Sequence, residues 1–146
     1  MAISFYSTKD AYGAFSNFSA HSIEIDGLRW PTTEHYFQAQ KFEDAKYREK
    51  IRTANSPMIA ARLGRSRKVP LRSDWEQMKD EVMYWAVLKK FQTHPQLREL
   101  LLSTGDEEIV EKTTNDYYWG CGTNGTGKNM LGKILMRVRE ELRQTP

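Results

Sequence analysis

The stretch that most restricts the fold lies near the C-terminus. It runs Asp116-Tyr117-Tyr118-Trp119-Gly120-Cys121-Gly122, continues through Gly125, Gly127 and Lys128, and ends at Gly132. Five of the nine glycines in the 146-residue chain fall in it. Glycine loses more backbone entropy on folding than any other residue, so clustering it marks a loop that bends sharply or lets a ligand approach the backbone. The spacing imitates two phosphate-binding motifs. Gly120, Gly122 and Gly125 match the dinucleotide fingerprint, and Gly122, Gly127 and Lys128 match most of a P-loop, with Asn129 where a hydroxyl would bind magnesium. Both motifs need a buried strand just upstream and more strands downstream. Asp116 to Trp119 makes a poor strand, and only 19 residues follow Gly127. Those residues pattern as one helix, with Leu131, Leu135, Val138 and Leu142 on one face. Neither nucleotide fold fits. Two readings stay open: a tight loop that closes the fold, or backbone N–H groups at a helix start that hold a phosphate or ribose hydroxyl, with Gly120 and Gly122 as binding positions. Asp116 beside Trp119 favours a ligand wall, since a carboxylate next to a stacking ring can read a base or a sugar. Cys121 reads as a small loop residue, with no histidine nearby in sequence.

The length suits one domain spanning 1–146. Hydrophobic residues make up 39% and charged residues 28%, within the range of soluble globular chains. No apolar run approaches a membrane span, and Met1 to Ser4 lacks the regions of a signal peptide, so a cytoplasmic protein without membrane attachment is expected. A single cysteine leaves no internal disulfide, and His21, His35 and His94 have no metal-like spacing, so neither metal nor cofactor is expected. The net charge is only +3, but Arg62, Arg65, Arg67, Lys68 and Arg72 cluster. That patch is either a solvated loop or an anion site, with Arg65 and Arg67 as phosphate-binding candidates. Nothing points to an obligate protein partner.

Local patterns predict an α+β fold, mostly helical, with a small antiparallel β-sheet. Ile3 to Tyr6 reads as a strand. Ser22 to Ile25 and Leu28 to Trp30 alternate around Asp26-Gly27, a hairpin signal. Thr32 or Thr33 caps a helix predicted to reach Asp44. Further helices are predicted over 45–54, from Pro57 to a closing Gly64, and from Pro95 to Gly105. Ser73 to Glu76 matches a capping box that opens the longest helix, running to Phe91. Trp85 on that helix is assigned to the core, with a stacking platform as the alternative. Glu108 to Thr113 is a candidate strand, and Lys128 to Leu142 the last helix.

The first helix carries the chemistry-bearing side chains. Residues three and four apart share a helix face, so Glu34, Gln38 and Lys41 align, as do Glu34, Phe37 and Lys41. That stripe is either a solvent edge or a pocket lining. In a pocket, a desolvated carboxylate gains a raised pKa and can exchange a proton, and a desolvated lysine gains a lowered pKa and can attack carbon. Together they suit cleavage at an anomeric carbon. His35 points elsewhere on the helix and reads as structural.

Several segments resemble one family. They are Tyr12 to Ser19, Asp26 to Phe42, Arg72 to Trp75, Lys90-Phe91, Leu101 to Gly105, Glu111, Asp116 to Gly122 and Gly127 to Gly132. In that order, across nearly the whole chain, they resemble the NADAR superfamily and most closely its YbiA-like members. The resemblance implies N-glycosidase activity on ribosylaminopyrimidine phosphates of riboflavin synthesis. Other NADAR members remove ADP-ribose from guanine, which would make ADP-ribosylated nucleic acid the substrate. A module that binds an ADP-ribose-like nucleotide without turnover is the non-enzymatic alternative. The resemblance places the catalytic carboxylate at Glu34 and a conserved-motif lysine at Lys41. It places ligand-binding roles at Asp116 and Trp119, and puts Asn17 and Phe18 at the pocket. The partner it implies is a small ribosylated heterocycle.

Overall fold

The computed structural model describes residues 2–145. Strand β1 (Ile3–Phe5) is followed by a hairpin of β2 (Ile23–Ile25) and β3 (Leu28–Trp30), then by helices α1 (Thr33–Ala39), α2 (Ala45–Arg52), α3 (Pro57–Arg65), α4 (Trp75–Thr93) and α5 (Pro95–Ser103). Strand β4 (Ile109–Glu111), a long loop and α6 (Met130–Gln144) complete the chain. The mostly helical α+β class holds. The hairpin is antiparallel, with Asp26 and Gly27 at φ of 54° and 78°, the geometry that an Asp-Gly turn supplies. β1 instead pairs in parallel with β4, Ile3 against Ile109, so the strands form two separate pairs. Among the described residues, no helix is long and apolar enough to cross a membrane.

Two apolar clusters meet at α1. One joins β1, β4 and the faces of α4, α5 and α6 through Phe5, Phe37, Val87, Leu101, Ile109 and Leu135. The other joins the hairpin, α2, α3 and α4 through Ile23, Trp30, Ala39, Phe42 and Ala60. α1 supplies Phe37 to the first and Ala39 to the second, so its seven residues are buried on nearly every side. That burial leaves its polar residues facing an enclosed space rather than bulk water.

Several boundaries differ from the sequence reading, three of them for a clear reason. Thr32 caps α1, its hydroxyl accepting from the His35 amide at 3.1 Å, but the helix stops at Ala39 rather than at Asp44. Asp44 is committed to capping α2, where its carboxylate accepts from the Tyr47 amide at 3.0 Å. The Ser73–Glu76 capping box does not form; Asp74 takes the cap position while Arg72 holds its carboxylate through two hydrogen bonds. Gly64 lies inside α3 and does not close it.

Trp85 is the clearest correction. It is 57% exposed, because α4 buries Met83, Tyr84, Ala86, Val87, Leu88, Lys90 and Phe91 instead. It borders a groove of about 520 Å³ between the hairpin and α4, and not the hollow that holds Glu34.

Gly64 is small because α1 and α3 touch there: a Cβ would overlap Oε1 and Cδ of Gln38. Gly64→Ala is expected to lower stability by about 1–3 kcal/mol, the usual cost of overpacking. Thermal denaturation beside a control alanine at exposed Arg62 checks this.

Candidate active site

The loop between β1 and β2 and the start of α1 are bound to each other through Asn17. Its backbone carbonyl accepts from the Glu34 amide at 3.2 Å, and its side-chain oxygen accepts from the Thr33 hydroxyl at 2.9 Å. Its amide nitrogen lies 3.4 Å from the sulfur of Met83 on α4. A hollow of about 340 Å³ opens at this junction, lined by Asn17, Phe18, Glu34, Phe37, Gln38, Lys41, Arg65, Met83, Glu111, Asp116 and Trp119 among others.

Glu34 is only 8% exposed. Burial is the main cause that raises its pKa; Gln38, Lys41 and Arg65 oppose the rise and Asp116 adds to it. The Gln38 amide donates to Glu34 Oε2 at 2.7 Å, the contact that helical spacing of four predicts. Gln38 Oε1 is buried without a partner among the described residues and lies against Gly64. Lys41 sits just past the end of α1, its ammonium 5.7 Å from the centre of the Phe37 ring. Desolvation lowers its pKa to about 8; Arg67 and Arg65 push the same way and Glu34 opposes them. The polar stripe of α1 is therefore a pocket lining.

Asp116 and Trp119 are joined by a turn. One carboxylate oxygen of Asp116 accepts from the amides of Tyr118 and Trp119 at 3.0 and 2.8 Å, which fixes where the indole stands. The Trp119 ring meets Phe37 edge-on, centroids 5.3 Å apart, and one side of it borders the hollow. Phe18, 37% exposed, lies at the same hollow.

Gly120, Gly122 and Arg67 do not line the hollow. Gly120 is buried against the Thr113 side chain, and Gly122 has a φ of +71° with the Tyr117 ring where a Cβ would project. The first amides of the helix start are taken up within the fold as well. The amides of Met130 and Leu131, at the start of α6, donate to the carbonyls of Tyr118 and Trp119 at 2.9 and 3.0 Å. Around them, Gly127 N bonds Cys121 O and Gly122 N bonds the Thr113 hydroxyl. The glycines let the loop fold back on itself, which answers the choice between closure and ligand cradle in favour of closure. Arg67 donates to the carbonyls of Gly64 and Ser66 at 2.9 and 3.0 Å and so closes the end of α3. Arg65 alone of the pair reaches the hollow. His35 is structural: its ring bonds the Thr32 hydroxyl and the Ala54 carbonyl.

Residue-level reading missed Glu111 and Lys90 as parts of this region. Strand alternation places Glu111 on the face of buried Ile109, and helical spacing places Lys90 beside Met83 and Val87. Both signals are visible, but a charged residue on a buried face is normally discounted. Glu111 is half-buried, and burial with the charges of Asp116 and Glu34 pushes its pKa up to about 7.

The NADAR domain family matches residues 4–143. N-glycosidase YbiA of Escherichia coli K12 is 59% identical over 140 residues, covering 96% of this chain and 88% of that protein. The chain is also similar to the NMR structure of the E. coli protein YbiA, with a TM-score of 0.91 and 57% identity over 98% of this chain and 85% of that one. A maize protein named riboflavin biosynthesis protein PYRR, chloroplastic, is 46% identical over 155 residues, which cover 96% of this chain and 25% of its own length.

Lys90 ties Ser16, which lines the hollow, to α4. It is 1% exposed, and its ammonium donates to the Ser16 carbonyl at 2.9 Å. Burial takes its pKa from an ordinary 10.5 to about 7. Between those values the unfolded chain binds more protons than the folded one, so stability rises with pH across that window. Lys41 acts in the same direction above about 8. Glu111, at about 7, opposes this only at the lower edge of the window, and Tyr118, raised to about 12, only at its upper edge. Urea unfolding between about pH 7 and pH 10 is expected to show a rising midpoint in the wild type and a much flatter one in Lys90→Met.

Proposed function

We propose a specific reaction for this chain, which belongs to the NADAR family and is an N-glycosidase: hydrolysis of the C–N bond between ribose and the amine of ribosylaminopyrimidine phosphates, early intermediates of riboflavin synthesis. The observation that carries the reading is the meeting of Glu34, Lys41 and Trp119 on one hollow of about 340 Å³, with the carboxylate and the amine both desolvated. The riboflavin name of the maize protein, similar over almost the whole of this chain, supports the substrate class.

Cleavage of an N-glycoside passes through a cation-like ribosyl centre. Glu34 stands where its carboxylate can face that charge, and its raised pKa makes it a stronger base toward water than a free carboxylate. The Gln38 amide holds one oxygen of it in place. Trp119 offers an aromatic face to the heterocycle, with Phe18 beside the same space. Arg65, which borders the hollow, is the cation placed to meet the phosphate, since the amides of Cys121, Gly127, Met130 and Leu131 are taken by carbonyls. Lys41 opens a second route of attack. With a pKa near 8 it is partly neutral at physiological pH, so it can add to the anomeric carbon and form an imine with the opened sugar.

One feature favours a larger substrate, ADP-ribosylated guanine. A second hollow of about 600 Å³ shares Ser16, Phe18, Arg65, Glu111 and Asp116 with the first and continues past Tyr6, Thr8 and Thr113. It gives room for a diphosphate and a second nucleoside.

Glu34→Gln is expected to lower kcat by about 10²–10⁴ on the true substrate. Mass-spectrometric detection of base release from both substrate classes measures this and selects between them; no release from either by wild type would refute the reaction. Borohydride added during turnover separates the two routes. A covalent adduct that is lost in Lys41→Ala supports the imine, and active enzyme without adduct supports water activated by Glu34.

A further inference from the structure

Glu111 is a carboxyl at the site without an assigned task. It ends β4, where its amide donates to Asn129 Oδ1 at 3.0 Å and its carbonyl accepts from the Cys121 amide at 3.0 Å. Asn129 in turn donates to the Ile109 carbonyl at 2.9 Å, so the strand end is held on both sides. The side chain borders both the 340 Å³ hollow with Glu34 and the adjoining 600 Å³ one. Among the described residues, no side chain or backbone group has a hydrogen bond to its carboxylate. A half-buried carboxyl with its backbone hydrogen-bonded on both sides and no such donor on its oxygens is placed to exchange a proton with a bound molecule.

The surroundings of the two glutamates differ in kind. Burial raises the pKa of Glu34 and Asp116 adds to it, but Glu34 also receives a hydrogen bond from Gln38 and feels Lys41 and Arg65, which favour its anion. Burial and the negative charges of Asp116 and Glu34 act on Glu111, and all three favour its protonated form, although Arg65 and Lys41 line the same hollow. Its pKa of about 7 keeps much of it protonated near neutral pH. Paired carboxyls with opposed environments divide into an acid and an anion.

We propose that Glu111 is the general acid of the reaction, giving its carboxyl proton to the nitrogen that leaves the anomeric carbon. The assignment rests on the N-glycosidase reading of this hollow. The C–N bonding pair goes to the nitrogen, which takes the Glu111 proton and departs as a neutral amine. The cation at carbon faces the Glu34 anion. Water then forms the new C–O bond and passes a proton to Glu34, and exchange with solvent returns Glu111 to the acid form. One water is consumed and no oxidant or metal is needed. The acid step is the same if Lys41 makes the attack.

Leaving-group dependence tests the assignment. A ribosylaminopyrimidine phosphate needs protonation to depart, and 4-nitrophenyl ribofuranoside 5-phosphate does not, because nitrophenolate is stable as an anion. Glu111→Gln is expected to lose about 10²–10³ in kcat/KM on the amine substrate and at least tenfold less on the nitrophenyl one. Glu34→Gln is expected to slow both, since both pass through the ribosyl cation. The wild-type rate on the amine should decline as pH rises above neutrality, and the nitrophenyl rate should lack that decline. Glu111→Asp, which keeps an acid, should recover part of the amine activity, and thermal midpoints establish that each variant is folded. Equal losses of Glu111→Gln on the two substrates, or no loss on the amine, would overturn the acid role while leaving the N-glycosidase reading in place. Wild type inert on both substrates would overturn the ribosylaminopyrimidine reading and the acid role assigned on it.

Discussion

The hydrogen bonds of Asn17 hold the site together. Through them a loop, the first turn of α1 and a methionine of α4 become one rigid corner. Lys90 adds a second tie one residue earlier, to the carbonyl of Ser16. These bonds are made by buried groups, so losing one partner would leave the other unsatisfied at a cost of about 1–3 kcal/mol. The seven-residue α1 would be marginal as an isolated helix; it persists because both apolar clusters close on it. With the corner in place, Glu34 projects into the hollow without a further constraint on its backbone.

Burial then does the electrostatic tuning. Glu34 and Glu111 are desolvated, Lys41 partly so, and each moves toward its uncharged form. Their surroundings differ: Gln38, Lys41 and Arg65 favour the anion of Glu34 against burial and Asp116, while burial, Asp116 and Glu34 favour the acid form of Glu111. The glycine loop supports this from outside. It folds its carbonyls over the start of α6 and, through Asp116, sets the Trp119 backbone at the edge of the hollow. Asn129, with a left-handed φ of 54°, links the loop end to β4 and so to Glu111.

Much of this was legible in the chain. Asp-Gly gave the hairpin turn, Pro57 and Pro95 gave helix starts, and the spacing of Glu34, Gln38 and Lys41 gave a common face. These signals are local, because turn geometry and helical period involve neighbours only. The errors share the opposite cause. Trp85 lies on an apolar stripe, yet α4 packs against partners on its other faces. Ser73 to Glu76 matches a cap, yet Arg72 claims Asp74 first. Gly64 looked like a helix end and is instead where the Gln38 side chain meets α3.

The sequence by itself determined the secondary elements, the exclusion of nucleotide folds by chain position, and the helix that carries Glu34 and Lys41. Tertiary structure alone decided that this helix face lines a pocket, that Arg65 reaches it while Arg67 caps α3, and that Glu111 joins from β4. It also decided that the amides of Cys121, Gly122 and Gly127 bond acceptors of β4 and of the loop itself. The physical reason is one of range. Periodicity and capping act within a few residues, whereas desolvation and charge pairing depend on which distant segments exclude water together, and here those segments are 16–18, 34–41, 65, 111 and 116–119.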